Sequence, residues 1–202
     1  MSDFYENEFF EICKKLNIEA SITDTVIRYT NSSFFNKTKA SVQRDRRGEV
    51  VFCVLRPDGK IIAITCSEYP KGIFRIPTGG IGHNENIINA VYREVREELG
   101  LEVEIRHFAG ALRIRFEHGN DSVMFYSYIF ILEEKGGRLL LDASDDEISE
   151  VREVDLDGLE EIVRALDKIE GKWSDWGRFR YTTSNAVLKY LRSIDIYEDS
   201  IV

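Results

Sequence analysis

The chain has 202 residues, 43% of them apolar, and its formal net charge is −9. This length and composition predict one globular domain, or one domain with an appendage. The negative charge argues against nucleic acid or an anionic membrane as a partner, and the lack of a long apolar run argues against a signal peptide or a membrane span.

The three cysteines, Cys13, Cys53 and Cys66, are an odd number and lack metal-ligand spacing. Cys53 and Cys66 lie in apolar, β-like runs, which favours buried free thiols over a disulfide or a nucleophile. Together with the absence of an export signal, this predicts a cytosolic protein.

The first 45 residues are only partly interpretable. Apolar residues recur at helical spacing through residues 3–16, which predicts an amphipathic helix. Residues 25–29 have the composition of a strand, and residues 31–33 that of a turn. About 45 residues bury too little surface to fold alone. We therefore interpret residues 1–45 as an extension that serves packing or dimerisation, and residues 46–202 as the main domain.

A small basic cluster, Arg44, Arg46 and Arg47, precedes the first strand of the main domain. It has two interpretations, a solvated turn or a contact with phosphate.

Six β-like runs follow, and bulky residues on both faces of the longest ones indicate a sheet that is covered on both sides. A Pro-Asp-Gly turn joins the first two runs. The runs are residues 49–55, 61–66, 74–76, 103–116, 122–132 and 150–154, with a shorter one at 138–141. Helices are predicted at residues 156–168 and from Ser184 onward. This pattern predicts an α/β fold with a mixed sheet between helices.

The segment from Ile76 to Leu101 carries the strongest pattern in the chain. Three of the four residues from 79 to 82 are glycine, which predicts a loop whose backbone approaches a ligand closely. A helix is predicted from Asn84, a good N-cap, to Leu99, and Gly100 ends it.

Glu94, Glu97 and Glu98 lie within one turn of this predicted helix. Three carboxylates this close repel each other unless water screens them or a cation lies among them. Clusters that offer only anionic oxygen suit hard divalent ions such as Mg²⁺ or Mn²⁺. The pattern alone leaves both a solvated acidic face and a metal site open.

The order of these residues resembles the Nudix box of the Nudix hydrolase family, from Gly79 to Leu101. All nine specified positions match: Gly79, Glu85, Arg93, Glu94, Val95, Glu97, Glu98, Gly100 and Leu101. Thr78 and Gly82 depart from looser family preferences, for glycine and for an acid. The resemblance implies a Nudix-type α/β/α sandwich. It also implies Mg²⁺-dependent hydrolysis, with Mn²⁺ as a possible substitute, of a nucleoside diphosphate linked to another group.

The resemblance also implies a role for each matching residue. Metal ligands are expected at Glu94, Glu97 and Glu98, with a backbone carbonyl of Thr78 or Gly79 and an outer contact from Glu85. Arg93 is expected to orient the glutamates. Glu94, Glu98 or the distant Glu147 is expected to act as general base.

Other interpretations stay open at this stage. A box that binds ligand without hydrolysis would make the protein a sensor or regulatory module, and an isomerase on the same fold would need a cysteine–glutamate pair that the sequence does not locate. The aromatic stretch 173–179 serves packing, base stacking or a subunit contact. Motifs of three substrate-specific branches of the family are absent, so the sequence does not select a substrate.

Overall fold

The computed structural model describes residues 2–144 and 147–194, which form seven strands and five α-helices. The helices are α1 (Ser2–Leu16), α2 (Ser32–Arg44), α3 (Ile87–Glu94), α4 (Leu156–Asp167) and α5 (Ser174–Ser193). The strands are β1 (Ile22–Arg28), β2 (Gly48–Leu55), β3 (Ile61–Cys66), β4 (Thr78–Ile81), β5 (Leu101–His118), β6 (Asp121–Gly137) and β7 (Ile148–Val154). A π-helical turn (Val95–Leu99) continues α3, and a 3₁₀ turn (Gly171–Trp173) precedes α5.

One mixed sheet organises the described chain. Its strand order is β1-β5-β6-β2-β3-β7, and β4 pairs with the first half of β2. The pairs β1–β5 and β2–β6 are parallel, whereas the other pairs are antiparallel. The predicted α/β class is therefore confirmed.

Helices cover both faces of this sheet. Strand β2 is buried along its whole length, and its residues contribute alternately to two apolar cores. The core that includes Phe52 lies under α1 and α3, whereas the core that includes Val51 lies under α2, α4 and α5. This is the three-layer arrangement that bulky residues on both strand faces require.

The N-terminal segment packs against the same sheet. Strand β1 pairs in parallel with β5 at the sheet edge, and Phe9 and Ile12 of α1 are buried in the core under α3. The prediction of a turn at residues 31–33 was wrong, because Asn31 caps α2 by accepting a hydrogen bond from the backbone N–H of Phe34. A role of this segment in dimerisation stays a prediction.

Five other local predictions differ from the structure. Residues 74–76 form only an isolated bridge between Arg75 and Ile64, and the predicted glycine loop contains a strand, β4. Residues 138–141 form no strand, because β6 continues to Gly137 and a turn follows. Ser184 is not a helix cap but a buried residue in the middle of α5. The box helix begins after Asn86 rather than Asn84, since the Asn86 side chain accepts hydrogen bonds from two backbone N–H groups of the first turn.

Candidate active site

Strand β4 brings the glycines of the box against two different partners. It pairs antiparallel with β2, so successive residues point to opposite faces of the sheet. A Cβ atom on Gly79 would overlap the side chain of Glu94, whereas one on Gly80 would lie 3.3 Å from Cδ of Arg46. Glycine is needed at position 79 because the strand backbone packs directly onto a carboxylate of the box helix.

Arg93 joins the acidic residues of the box. Its Nε and Nη2 atoms donate to the two carboxylate oxygens of Glu85, at 2.6 and 2.8 Å. Its Nη1 atom donates to Glu94 and to Glu97, both at 2.8 Å, and Nη2 also donates to the carbonyl of Gly80 at 2.9 Å. One guanidinium group therefore fixes three carboxylates relative to the backbone of β4.

The pKa values of two of these carboxylates shift in opposite directions. Burial raises the pKa of Glu94, although its contact with Arg93 acts in the opposite direction. The hydrogen bond from Arg93 lowers the pKa of Glu85, and a bond from the backbone N–H of Gly82 adds to this effect. Glu94 is thus a desolvated carboxylate that additional positive charge would stabilise, whereas Arg93 already compensates Glu85.

Arg47 supports the turn that carries Glu85, a role that the sequence did not reveal. Its side chain is buried and forms two hydrogen bonds with the carboxylate of Glu8 in α1, at 2.6 and 2.7 Å. It also donates to the carbonyl of Glu85 at 2.7 Å and to that of Gly82 at 3.2 Å. The interpretation of Arg47 as part of a solvated turn was therefore wrong.

The last two glutamates of the box lie in the π-helical turn Val95–Leu99. Such turns replace α-helical geometry by a wider turn and are frequent at functional sites. The turn ends at Gly100, whose φ of 70° is the left-handed conformation expected of a glycine after a helix. The side chain of Glu97 remains 45% exposed although it contacts Arg93, so it can move without exposing an apolar core.

Glu98 and the distant Glu147 both lie near Cys66, at the end of β3. Burial raises the pKa of the Cys66 thiol, and the charges of Glu98 and Glu147 act in the same direction. Cys66 pairs with Ile148 across the β3–β7 ladder, which brings Glu147 to this end of the sheet. The prediction of a buried thiol holds for Cys53, whereas Cys66 is only partly buried, and all three cysteines are free thiols.

Thr78 has a different environment from Gly79. Its hydroxyl accepts a hydrogen bond of 3.2 Å from Arg75, which is 5% exposed and also contacts the hydroxyl of Tyr69 and the carbonyl of Ile76. Each of these three partner groups is uncharged. Arg75 therefore places a buried positive charge beside the box strand, a feature that no sequence pattern predicted.

The donor chemistry of the box fits a hard divalent ion, but the present side-chain positions do not form a coordination shell. Within residues 2–144 and 147–194, no three histidine, cysteine or acidic side chains are placed to hold a metal ion. Arg93 holds Glu94 and Glu97, so these two must turn away from it before they can bind metal together with Glu98. The oxygen-only donor set and the desolvated Glu94 carboxylate are what Mg²⁺ or Mn²⁺ requires.

A three-layer α/β fold with an arginine-centred carboxylate cluster on a glycine strand defines the Nudix class, and sequence comparison agrees. The chain matches the NUDIX domain over residues 45–176, well over half of its length, and it belongs to this family. The resemblance of the box is thereby confirmed.

Known relatives extend this comparison. The chain is 29% identical over 124 residues to an ADP-ribose pyrophosphatase of Methanocaldococcus jannaschii, a match that covers 61% of this chain and 70% of the relative. It is 26% identical over 83 residues to the phosphatase NudJ of Escherichia coli K12, covering 41% of this chain and 52% of the relative. A solved NUDIX hydrolase of Nitrosomonas europaea is 15% identical, with a TM-score of 0.49, and the match covers 69% of this chain and 86% of that one. Family and relatives make the protein a Nudix pyrophosphohydrolase, an enzyme that hydrolyses diphosphate linkages.

Proposed function

We propose that the protein hydrolyses the diphosphate linkage of a nucleoside diphosphate joined to a second group, with Mg²⁺ or Mn²⁺ as the cofactor. The observation that carries this proposal is the Arg93 cluster, in which three carboxylates are held against the backbone of β4. A site of this kind supplies charge and position, which are the main requirements for attack by water on a diphosphate.

Glu94, Glu97 and Glu98 are the proposed metal ligands, and a backbone oxygen of Thr78 or Gly79 is a further one. A bound divalent ion neutralises the diphosphate, polarises phosphorus and lowers the pKa of coordinated water. Arg93 positions the glutamates, and Glu85 in turn positions Arg93 through two hydrogen bonds. Buried Arg75 adds positive charge on the Thr78 side of the strand, which is the face opposite Glu94.

The proton acceptor is one of three carboxylates, Glu94, Glu98 or Glu147. Glu94 is packed on Gly79 and hydrogen-bonded to Arg93, and its release from Arg93 is already needed for metal binding. The charges of Glu98 and Glu147 both act on Cys66, so the two carboxylates lie at the same end of the sheet. We therefore favour these two over Glu94 as the general base.

Hydrolysis of a substrate panel with Mg²⁺ or Mn²⁺ tests the proposal, with released phosphate measured after phosphatase treatment. The panel includes nucleotides and nucleotide sugars, and ADP-ribose belongs in it because one relative is named for that activity. Glu97→Gln and Glu98→Gln are each expected to lower kcat/KM by about 100-fold or more. Glu102→Gln, an exposed glutamate just past the box, is the matched control and should retain full activity.

The same variants separate ligands from the base. A lost ligand is compensated at least in part by a higher metal concentration, whereas a lost base lowers kcat at every metal concentration. Glu147→Gln is expected to follow the second pattern if it is the base. Full activity of both Glu97→Gln and Glu98→Gln would remove the proposed ligand set. Binding of nucleotides without hydrolysis of any of them would instead favour a sensor module.

Two further proposals concern the setting of the enzyme. We propose a cytosolic location, supported by the three free thiols, and a homodimer in which residues 1–45 take part. None of the helices within residues 2–144 and 147–194 combines the length and apolarity that crossing a membrane requires.

A further inference from the structure

A small cavity lies between α2, α5 and the sheet, and we call it the aromatic cleft. Its walls include the rings of Tyr29, Phe125, Trp176 and Phe179 and the guanidinium groups of Arg46 and Arg180. Tyr29 precedes the segment that matches the family, whereas Phe179 and Arg180 follow it. The cleft is therefore built largely by the two flanking segments of this chain, and it has no part in the Arg93 cluster.

The cleft lies on the opposite face of β4 from Glu94. Arg46 packs its aliphatic part against Gly80, and its guanidinium carbon lies 5.8 Å from the centroid of the Phe125 ring. Arg180 forms an ion pair of 3.0 Å with Glu49, the residue that pairs with Gly80 across the β2–β4 ladder. Only one short strand thus separates the cleft from the proposed hydrolytic site.

Arg180 carries a donor in the cleft that lacks an acceptor within the described residues. Arg180 is 7% exposed, and its Nη1 donates to Glu49, which also accepts from the hydroxyl of Ser127. Over the described part of the chain, the buried Nε–H of Arg180 has no hydrogen-bond partner. A buried donor in this state is unfavourable, and an acceptor on a ligand would satisfy it.

Tyr29 supplies a second donor on the other wall. Its hydroxyl is buried beside Thr38 of α2, and burial raises the pKa of Tyr29 to about 12. The hydroxyl therefore stays protonated under physiological conditions and can donate. The Nε–H of Arg180 consequently calls for a carbonyl oxygen, the Tyr29 hydroxyl can donate or accept, and the rings between them call for a flat, apolar face.

The size of the cleft limits the ligand to one ring. Its volume is about 80 Å³, which is less than the roughly 150 Å³ of a protein cavity that holds benzene. One ring would therefore enter only in part and would contact the half-buried Phe34 of the lining. The two fused rings of a purine would not fit without displacing α2 from α5.

We propose that the aromatic cleft binds the base of the substrate, and that this base is a single ring with carbonyl acceptors, of the uracil type. The proposal rests on the proposed function for the diphosphate to which the base is attached. Cytosine, which replaces one carbonyl by an amino donor, would place that donor against the Nε–H of Arg180 and is rejected. A purine is rejected by size.

Trp176 provides a test that does not depend on catalysis. The chain has two tryptophans, and a Trp173→Phe variant leaves Trp176, which lines the cleft, as the sole reporter of intrinsic fluorescence. UMP, CMP, AMP and ribose 5-phosphate are titrated without divalent metal. UMP is expected to quench Trp176 with a Kd about tenfold or more below those of CMP and AMP, and ribose 5-phosphate should not quench it. Equal affinity for the three nucleotides, or tighter binding of AMP, would overturn the proposal.

Two substitutions locate the binding. Thr38→Phe places a ring in the cleft and is expected to abolish quenching by UMP, whereas Lys37→Phe, on the exposed side of the same helix, should leave it unchanged. Tyr29→Phe keeps the ring and removes the hydroxyl, so the affinity for UMP should fall by about tenfold while the preference over CMP remains. Circular dichroism and thermal unfolding establish that each variant folds. Unchanged UMP binding by folded Thr38→Phe would rule out this cleft.

The outcomes for the cleft and for hydrolysis are independent. Selective quenching by UMP in a protein that hydrolyses nothing would support the cleft and refute the proposed function. Hydrolysis that depends on Glu98, with no preference for uridine compounds, would support the proposed function and refute the cleft.

Discussion

The two faces of β4 differ in how their functional groups are assembled. On the face of Gly79, and within the described residues, the hydrogen bonds that Arg93 donates all go to residues within 13 positions of it in sequence. On the face of Gly80, Arg180 contacts Glu49 from 131 positions away, and Tyr29 lies in the same cavity although a still longer stretch of chain separates it from Arg180.

The segment that matches the family shows the same difference between the two faces. The local cluster lies within residues 45–176, whereas the aromatic cleft draws on residues both before and after that segment. We infer that the chemistry resides in the shared part of the chain and that the selection of the substrate resides in its flanks.

The sharpest way to test the two faces is to add one methyl group to each. Gly79→Ala is expected to lower kcat/KM by about 100- to 1000-fold, because the new Cβ would overlap Glu94, which is buried and tied to Arg93. Gly80→Ala meets only the flexible stem of Arg46 at 3.3 Å and should change kcat by less than about tenfold. The measurement is steady-state kinetics on the best substrate of the panel, with thermal unfolding as the control for folding. Comparable losses in kcat for the two variants would contradict the division between faces.

The sequence predicted the groups on the face of Gly79 because their arrangement follows from helical spacing and one contiguous motif. It misplaced the helix start by two residues, since Asn84 and Asn86 are equally good caps and only the turn that ties Glu85 to Gly82 decides between them. It also missed the π-helical turn that carries Glu97 and Glu98, because no local residue pattern distinguishes such a turn from an ordinary α-helical one.

The groups on the face of Gly80 could not be predicted from the sequence, and the reason is physical. Only Phe35 of α2 is fully buried, so its apolar pattern was too weak to indicate a helix. The aromatic stretch 173–179, which begins α5, was not predicted to be helical, and Ser184 in the middle of α5 resembled a cap. Tyr29 and Arg180 converge only once both helices pack on the sheet, and sequence periodicity carries no information about that packing.

The second prediction concerns Arg93, at the centre of the carboxylate cluster on the face of Gly79. Arg93→Lys keeps the charge but cannot reproduce the two-pronged contact with Glu85 together with the contacts to Glu94 and Glu97. We expect kcat/KM to fall by about 100-fold, with a higher concentration of Mn²⁺ at half-maximal rate. Arg96→Lys, on the exposed side of the same turn, is the matched control. A loss in Arg93→Lys that is confined to thermal stability would mean that Arg93 holds the helix together and does not position the ligands.

The smallest expected effect tests whether a flanking segment also reaches the face of Gly79. Glu8 in α1 orients Arg47, which holds the carbonyls of Gly82 and Glu85. Glu8→Gln removes the charge and keeps one acceptor, so we expect only an approximately tenfold loss in kcat/KM. The measurement that distinguishes positioning from general destabilisation is hydrogen exchange, because the amides of residues 82–85 should exchange faster while those of β5 and β6 do not. Glu11→Gln, an exposed glutamate on the same helix, should change neither quantity. If Glu8→Gln leaves both the exchange of residues 82–85 and the rate unchanged, the N-terminal helix serves packing only. Catalysis would then depend on the family segment alone, and the flanking segments would act only in the selection of the substrate.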